Sequence, residues 1–135
     1  MTGMDVLWRC RDYKKDIARL RLRLECARDA AMRVTRSADM TGHGSGGDRM
    51  SLYAEKVDDI EREMVIREAL YERDVGMAAR LVTQIDPLQG QVVYLKLVRG
   101  LTIRQTAAEL RTSESSVRGL FRRGREALEG IHVNE

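Results

Sequence analysis

Arginine is concentrated near the carboxyl end of the chain, where its side chains could contact phosphate groups and guanine. Between residues 99 and 125 there are seven arginines, no lysine and only two acids, Glu109 and Glu114. The guanidinium group donates two parallel hydrogen bonds at once, which suits both phosphate oxygens and the major-groove edge of guanine. Because the whole chain carries a net charge of only +3, this clustering, rather than the total charge, indicates a nucleic-acid partner.

Other residues that could carry chemistry have no partners at a suitable spacing. His43 has no second His, Cys or acid correctly spaced, so a solvated loop residue is expected. Cys10 and Cys26 fall in one predicted helix, roughly 24 Å apart, which is too far for a disulfide; reduced thiols suit the cytosol. The glycines of residues 42–47 lack the lysine of a phosphate-binding loop. We expect a non-enzymatic, cytoplasmic protein with no catalytic residue, no cofactor and no metal.

The arginines belong to a predicted group of three helices that begins after Asp86. Pro87 is well placed as the first residue of the first helix, and Gly100 is a typical helix stop. Thr102 and Ser113 are good N-caps for the two helices that follow, over residues 103–110 and 114–129. The positions expected to face inward are Leu88, Val92, Val93, Leu95, Leu97, Val98, Ile103, Ala107, Leu110, Val117, Leu120, Phe121 and Leu128.

The short turn at Arg111 and Thr112 is typical of a helix-turn-helix, whose second helix enters the major groove of DNA. Its first residues meet base edges, while flanking cations and helix N-termini hold phosphates. The base-contact candidates are Glu114, Ser115 and Arg118. The phosphate-contact candidates are Thr102, Arg104, Gln105, Ser113, Arg122, Arg123 and Arg125.

The first part of the chain has the spacing of a long amphipathic helix. Apolar or small residues recur in alternating steps of four and three from Val6 to Ala38, which predicts one helix over residues 4–38. The glycine-rich residues 39–47 are incompatible with regular structure and predict a loop. A helix this amphipathic would leave its apolar stripe in water unless a partner helix covered it.

The predicted partner is a second long helix over residues 48–85. Its apolar seam is regular at first and then reaches Arg67 and Asp74, where Ile66 and Leu70 are expected to take over one step away, as a stutter in the heptad. Two long helices joined by a short loop form an antiparallel hairpin. Trp8 lies off the seam and could either cover the end of the hairpin or mark a contact surface.

These elements predict an all-α chain in two domains. A long, coiled-coil-like antiparallel hairpin in residues 1–85 is followed by a three-helix head in residues 86–135 that contains the helix-turn-helix. Two such hairpins could form a four-helix bundle, so we expect a homodimer or a higher homo-oligomer. No run approaches 18 apolar residues, and no membrane contact is expected.

The C-terminal segment resembles region 4 of bacterial sigma factors. The motifs shared with that family are Ile85-Asp-Pro-Leu88, Gly100-Leu-Thr102, Ile103 to Leu110, Ser113-Glu-Ser-Ser-Val117 and a basic helix that closes in Ala127-Leu128. The resemblance implies a helix-turn-helix that binds double-stranded DNA, with host RNA polymerase as a further candidate partner.

The segment departs from the family pattern at four positions. Arg111 replaces the usual turn glycine, which requires a positive φ or a different turn. Thr106 and Thr112 stand where the family usually has apolar core residues. Gly119 stands where the family often has a polar side chain that contacts bases.

The layout of the whole chain is similar to a group of small phage and mobile-element proteins. These have a helical hairpin with a loop like Gly42-His-Gly-Ser-Gly46 and a region-4-like tail, and some are late-operon or autolysin-regulatory transcriptional regulators. The resemblance implies a sequence-specific transcriptional regulator. With one Trp and one Phe, the chain lacks the exposed aromatics of a self-sufficient sigma factor.

Two other functions fit the same elements. A phage DNA-packaging subunit, similar to a small terminase, also combines a helix-turn-helix with a helical oligomerisation arm. A protein that binds RNA polymerase or a sigma factor through its head, without DNA, is the other alternative. A ring of many subunits would favour packaging, and salt-dependent duplex binding would exclude the protein-only module.

Overall fold

The structure, a computed structural model, describes the backbone of residues 1–41 and 46–134 and the side chains of residues 1–34 and 51–134. The described part is helical, apart from turns and one isolated antiparallel bridge between Thr2 and His132. None of its helices is long and apolar enough to cross a membrane. The helices are α1 (Gly3–Thr41), α2 (Gly46–Val82), α3 (Pro87–Leu97), α4 (Ile103–Glu109) and α5 (Glu114–Glu129).

The all-α prediction is confirmed, with corrections at the ends of the two long helices. The predicted loop over residues 39–47 is too long, because α1 continues to Thr41 and α2 begins at Gly46. Residues 42–45, including His43, lie outside the described residues. The second helix ends at Val82 rather than residue 85, because the Asp86 carboxylate caps the amides of α3 and the chain must turn before it.

Two compact units make up the chain. The first contains Met1–Lys14 together with Ala69–Glu135, and the second contains Lys15–Glu68. Each unit therefore includes a stretch of both long helices. The boundary that the sequence suggests between residues 85 and 86 stays a prediction about which segment folds independently.

In the second unit, α1 and α2 pack through the seam that the sequence predicts. Leu20, Leu24 and Ala27 of α1 are buried with Ile60 of α2, and Val57 and Met64 pack against them. Charged side chains flank this apolar stripe. Ion pairs between the helices join Arg28 to Glu61 at 2.8 Å, Arg21 to Glu68 at 3.8 Å and Arg67 to Asp16 at 3.8 Å.

The stutter predicted in the second helix is wrong. Ile66 is 60% exposed, whereas Arg67 and Asp74 keep the seam positions and α2 continues its regular spacing. Ion pairs explain why polar residues can remain there. Arg67 reaches Asp16 of α1, and the fully buried Asp74 accepts a hydrogen bond from the guanidinium of Arg9 at 3.1 Å.

The core of the first unit combines the start of α1 and the end of α2 with the C-terminal helices. Leu7 and Cys10 of α1 are completely buried together with Val93 of α3 and Leu128 of α5. Backbone hydrogen bonds hold the chain ends together, since the Gly3 amide donates to the Ile131 carbonyl at 2.7 Å. Residues 1–14 are thus part of the core on which α5 rests, which the sequence pattern did not predict.

Polar side chains of the long helices also contact the end of α3. The Tyr71 hydroxyl donates to the Val98 carbonyl at 2.9 Å, and the Lys14 ammonium donates to the Arg99 carbonyl at 2.7 Å. These carbonyls have no partner inside a helix because α3 stops here, at Gly100 with φ of 72°. Side chains from two other helices therefore cap the C-terminal end of α3.

Two glycines allow α3 to pack closely on its neighbours. A Cβ on Gly90 would lie 2.6 Å from the Val82 carbonyl oxygen, which belongs to fixed backbone. A Cβ on Gly124 of α5 would lie 2.7 Å from Cγ2 of Val93. By contrast, a Cβ on Gly76 in α2 would meet nothing within 4 Å.

We expect Gly90→Ala to lower the free energy of unfolding by about 1–3 kcal/mol, because the added methyl group overpacks a site where backbone would have to move. Gly76→Ala is the matched control and should raise stability by about 0.5–1 kcal/mol, because it only restricts the unfolded chain and improves helix propensity. Urea denaturation followed by circular dichroism measures both. Equal effects of the two substitutions would show that Gly90 is not at a close contact.

Burial makes the Cys10 thiol inert. Removal from water, and secondarily the nearby Asp74 carboxylate, raises its pKa to about 12, whereas Cys26 is exposed. In a Cys26→Ser variant at mildly alkaline pH, the remaining thiol should react with a disulfide reagent only after unfolding. A Cys10→Ala variant should react at once. Rapid modification of the folded Cys26→Ser variant would contradict the packing of α1 in this core.

The same pKa predicts the direction of a pH effect. The thiol favours its neutral form in the folded state, so its contribution to stability is complete below the ordinary pKa of 9.0 and is lost as the pH rises toward about 12. The fall in unfolding free energy over this range should be smaller in Cys10→Ala than in the wild type.

Candidate nucleic-acid interface

Helix α4 begins with a complete capping box. The Thr102 hydroxyl accepts a hydrogen bond from the Gln105 amide at 3.1 Å, and the Gln105 side-chain oxygen accepts one from the Thr102 amide at 2.9 Å. This arrangement satisfies two amides that the first turn of a helix leaves without partners. Thr102 and Gln105, two predicted phosphate contacts, therefore also fix the start of α4.

The turn between α4 and α5 is tight because Arg111 adopts φ of 53°. A positive φ is uncommon for residues other than glycine. Arg111 nevertheless adopts it, so the chain makes the same turn without the glycine that the family usually has there. The turn is closed by hydrogen bonds from the Arg111 amide to the Ala108 carbonyl and from the Thr112 amide to the Ala107 carbonyl. Thr112 is exposed, so no apolar side chain is required there.

Thr106 shows how a hydroxyl replaces an apolar core residue. It is completely buried, and its hydroxyl donates to the Thr102 carbonyl one turn earlier at 2.8 Å. Because the donor is satisfied inside its own helix, only the methyl group needs a packing partner. This departure from the family pattern therefore leaves the fold of α4 intact.

Helix α5 begins at the predicted cap. The Ser113 hydroxyl accepts a hydrogen bond from the Ser116 amide at 3.1 Å. One face of α5 then closes a small core, in which Val117 is buried with Val92 of α3 and Ala107 of α4. Ile103, Leu110, Leu120 and Phe121 are partly buried around it, which confirms the predicted inward face of these helices. Leu88, also predicted inward, is 50% exposed, and this prediction is wrong.

The three predicted base contacts share the exposed surface at the start of α5. Glu114, Ser115 and Arg118 are all exposed. Arg118 lies 3.8 Å from the Glu114 carboxylate, one turn away. Such an exposed pair is weak, so the guanidinium can exchange this partner for a base or a phosphate.

The predicted phosphate contacts differ in how their side chains are engaged. Arg104 and Arg122 are exposed. The Arg123 guanidinium folds back along the helix and donates to the Gly119 carbonyl at 3.3 Å. Arg125 is partly buried and lies 3.7 Å from Glu129. A Cβ on Gly119 would meet only the Arg123 guanidinium, at 3.3 Å, so the absence of a side chain there leaves room for that arginine.

Lys96 is a further cation at this surface that the sequence analysis did not single out. Its ammonium group lies 5.0 Å from the centre of the Phe121 ring. Partial burial and, secondarily, the positive charge of Arg118 lower the pKa of Lys96. The lysine of α3 thus lies near the start of α5. This proximity was not predicted, because Lys96 precedes the arginine-rich segment of residues 99–125 in the sequence.

Trp8 supports α5 from the other end of the chain. Its ring meets Phe121 edge-on, with centroids 6.5 Å apart, and the Arg11 guanidinium lies 4.4 Å from the tryptophan ring centre. Trp8 therefore packs within this unit, and its other suggested role, as part of a contact surface, stays a prediction. The aromatic contact orients the middle of α5 against α1.

Comparison with known proteins identifies the C-terminal part. Residues 76–128 match a family model described as sigma-70, region 4, a DNA-binding and non-enzymatic family. Comparisons with curated proteins and with solved structures gave no match. The matched segment includes the end of α2, all of α3 and α4, and nearly all of α5. This part of the chain is therefore similar to sigma-70 region 4, and a pair of long packed helices precedes it along the sequence.

Proposed function

We propose that the protein is a sequence-specific DNA-binding transcriptional regulator that uses α5 as its recognition helix. The observation that supports this most directly is the division of α5 into two faces. Val117 and Leu128 are buried in the core, while Arg118, Arg122 and Arg123 remain exposed on the surface. A helix supported on one side and cationic on the other fits the major groove.

In this proposal the two ends of the surface have different tasks. Glu114, Ser115 and Arg118 contact base edges, because they lie in the first turns of α5. The capping groups and the remaining arginines hold phosphates and set the register of the helix along the duplex. The phosphate-contact residues are Thr102, Arg104, Gln105, Ser113, Arg122, Arg123 and Arg125.

A contact with RNA polymerase is the second part of the proposal. The first unit has an open apolar cleft of about 690 Å³ between α2, α3 and the end of α4, whose lining includes Val82, Tyr94, Leu95 and Leu110. A cleft of this composition suits an apolar segment of a protein partner. It is separate from the arginines of α5, so DNA and a protein could bind at the same time.

The remaining parts of the proposal concern setting and assembly. We infer a phage or mobile-element origin from the layout of the chain and a bacterial cytoplasmic location from the DNA partner. Self-association through the long helices would allow two recognition helices to bind neighbouring half-sites. Measurement of the subunit number separates a dimeric regulator from a ring-forming packaging subunit.

Substitutions on α5 should separate base contacts from phosphate contacts. After selection of a preferred duplex from a random pool, Arg118→Ala should reduce the preference over random duplex by roughly 1–3 kcal/mol. Arg123→Ala should weaken both duplexes about equally and flatten the slope of log affinity against log salt by roughly one unit. Fluorescence anisotropy at several salt concentrations measures both quantities.

Arg62→Ala is the matched control, because Arg62 is an exposed arginine in the second unit. It should leave affinity and salt slope unchanged. Wild-type affinity in both the Arg118 and Arg123 variants would refute the assignment of α5 to the groove. If the wild type itself binds no duplex, the protein-only alternative is favoured.

The cleft can be tested without disturbing DNA binding. Leu95→Asp places a charge in the apolar lining and should abolish co-purification of RNA polymerase with the protein from a bacterial host. The affinity for the selected duplex should stay at the wild-type value, because the cleft does not include the exposed face of α5. Retention of polymerase by this variant would exclude the cleft as the contact site.

A further inference from the structure

Exposed large apolar side chains are concentrated on the second unit. Seven such residues occur in the described part of the chain, and five of them belong to this unit of 54 positions, Lys15–Glu68. Isolated exposed apolar residues are ordinary, whereas a concentration of them marks an interaction surface. The five are Leu22, Met32, Leu52, Val65 and Ile66.

One of these five residues, Leu22, lines a groove between α1 and α2. The groove has a volume of about 360 Å³, and its lining includes Leu22, Cys26 and Ala30 of α1 with Tyr53 and Ile60 of α2. Leu22 is 63% exposed and Cys26 is also exposed. The groove therefore continues the apolar core of the helix pair outward to a surface that a further helix could cover.

The two helices that form the groove carry opposite charge. Residues 15–41 contain seven basic and four acidic side chains, whereas residues 46–68 contain four basic and seven acidic ones. The ion pairs of Arg28 with Glu61 and of Arg21 with Glu68 use part of this complementarity within the chain.

Charges beside the groove are left for an external partner. Arg23 lies in the groove lining on α1. On α2, Lys56 lines the groove, and Asp59 is three residues further along, so Asp59 is a neighbour of Lys56 on the helix surface and lies on the groove side. Neither Arg23 nor Asp59 forms an ion pair with another described side chain of this unit. The charged residues of the groove lining are thus Arg23 on α1 and Lys56 on α2, and the acidic Asp59 lies beside the groove on α2.

We propose that a second copy of this chain covers the groove, with its α2 on the first copy's α1. The dimer axis then runs parallel to the helices, and each basic α1 faces an acidic α2. With the axis perpendicular to the helices, α1 would face α1 and like charges would meet. Leu22 and the other apolar residues of the groove lining supply the burial, and the charge division selects the arrangement of the four-helix bundle.

This inference specifies the self-association in the proposed function and is tested without DNA, so that the two can fail separately. By sedimentation equilibrium, the wild type should be a dimer, and Leu22→Asp should weaken dimerisation at least tenfold, because the new carboxylate would be buried without a partner. Leu88→Asp is the control on α3 in the first unit and should dimerise normally. A monomeric wild type, a ring of many subunits, or equal dimerisation of both variants would overturn the proposal.

A disulfide test then distinguishes the two dimer arrangements. Arg28 pairs with Glu61 and Asp16 with Arg67, so position 59 lies about level with Cys26. A chain that keeps Cys26 is mixed with a chain that carries Cys26→Ser and Asp59→Cys, and the mixture is oxidised. We expect a covalent dimer from the mixture, but none when Asp58→Cys replaces Asp59→Cys, because Asp58 lies in a depression on a different face of α2.

The opposite pattern identifies the other arrangement. Covalent dimers of the Cys26 chain with itself, and no disulfide between Cys26 and the cysteine at position 59 in the mixture, would show that α1 faces α1 and would overturn the proposed axis. Normal duplex binding by a monomeric wild type would refute this inference and leave the DNA-binding proposal intact. A dimer of the expected arrangement that binds no duplex would refute the DNA-binding proposal and leave this inference intact.

Discussion

The close packing of α5 on α3 is the constraint on which the candidate interface depends. Gly124 permits it, because any side chain there would collide with Val93. The contact fixes one face of α5 against the core, and the opposite face is then exposed with its arginines. Residues at the start of the chain also hold α5 in this position. Trp8 of α1 packs against Phe121, and Leu7 is buried in the same core as Leu128.

Stretches of both long helices are consequently part of the unit that contains the helix-turn-helix. The start of α1 and the end of α2 close the core of the first unit, and side chains of both cap the exposed carbonyls where α3 ends. The family match likewise begins within α2. The support of α5 therefore includes residues of both long helices.

Sequence patterns predicted the elements well because the relevant signals are local. Caps at Thr102 and Ser113, the stop at Gly100 and the seam of α1 each depend on neighbours within one or two helical turns. The errors came from long-range contacts. In the sequence, Asp74 resembles a break in an apolar seam. In the structure it keeps its seam position because Arg9, 65 residues earlier, donates a hydrogen bond to it. Lys96 and Trp8 lie near α5 because of tertiary packing, which cannot be predicted from the spacing of residues along the chain.

Polar residues within the seams have a physical role that complements the apolar ones. Two helices that pack through purely apolar seams can bury those seams in several relative registers. A buried carboxylate, by contrast, is stable only in a register that brings a cation within reach of it. Asp74 is such a carboxylate, and its hydrogen bond with Arg9 favours one register of α1 against α2 in the first unit. Charge thus selects the alignment within the chain. In the dimer that we propose, the division of α1 and α2 into basic and acidic helices extends the same principle to the contact between two chains, because opposite charge determines which helices meet.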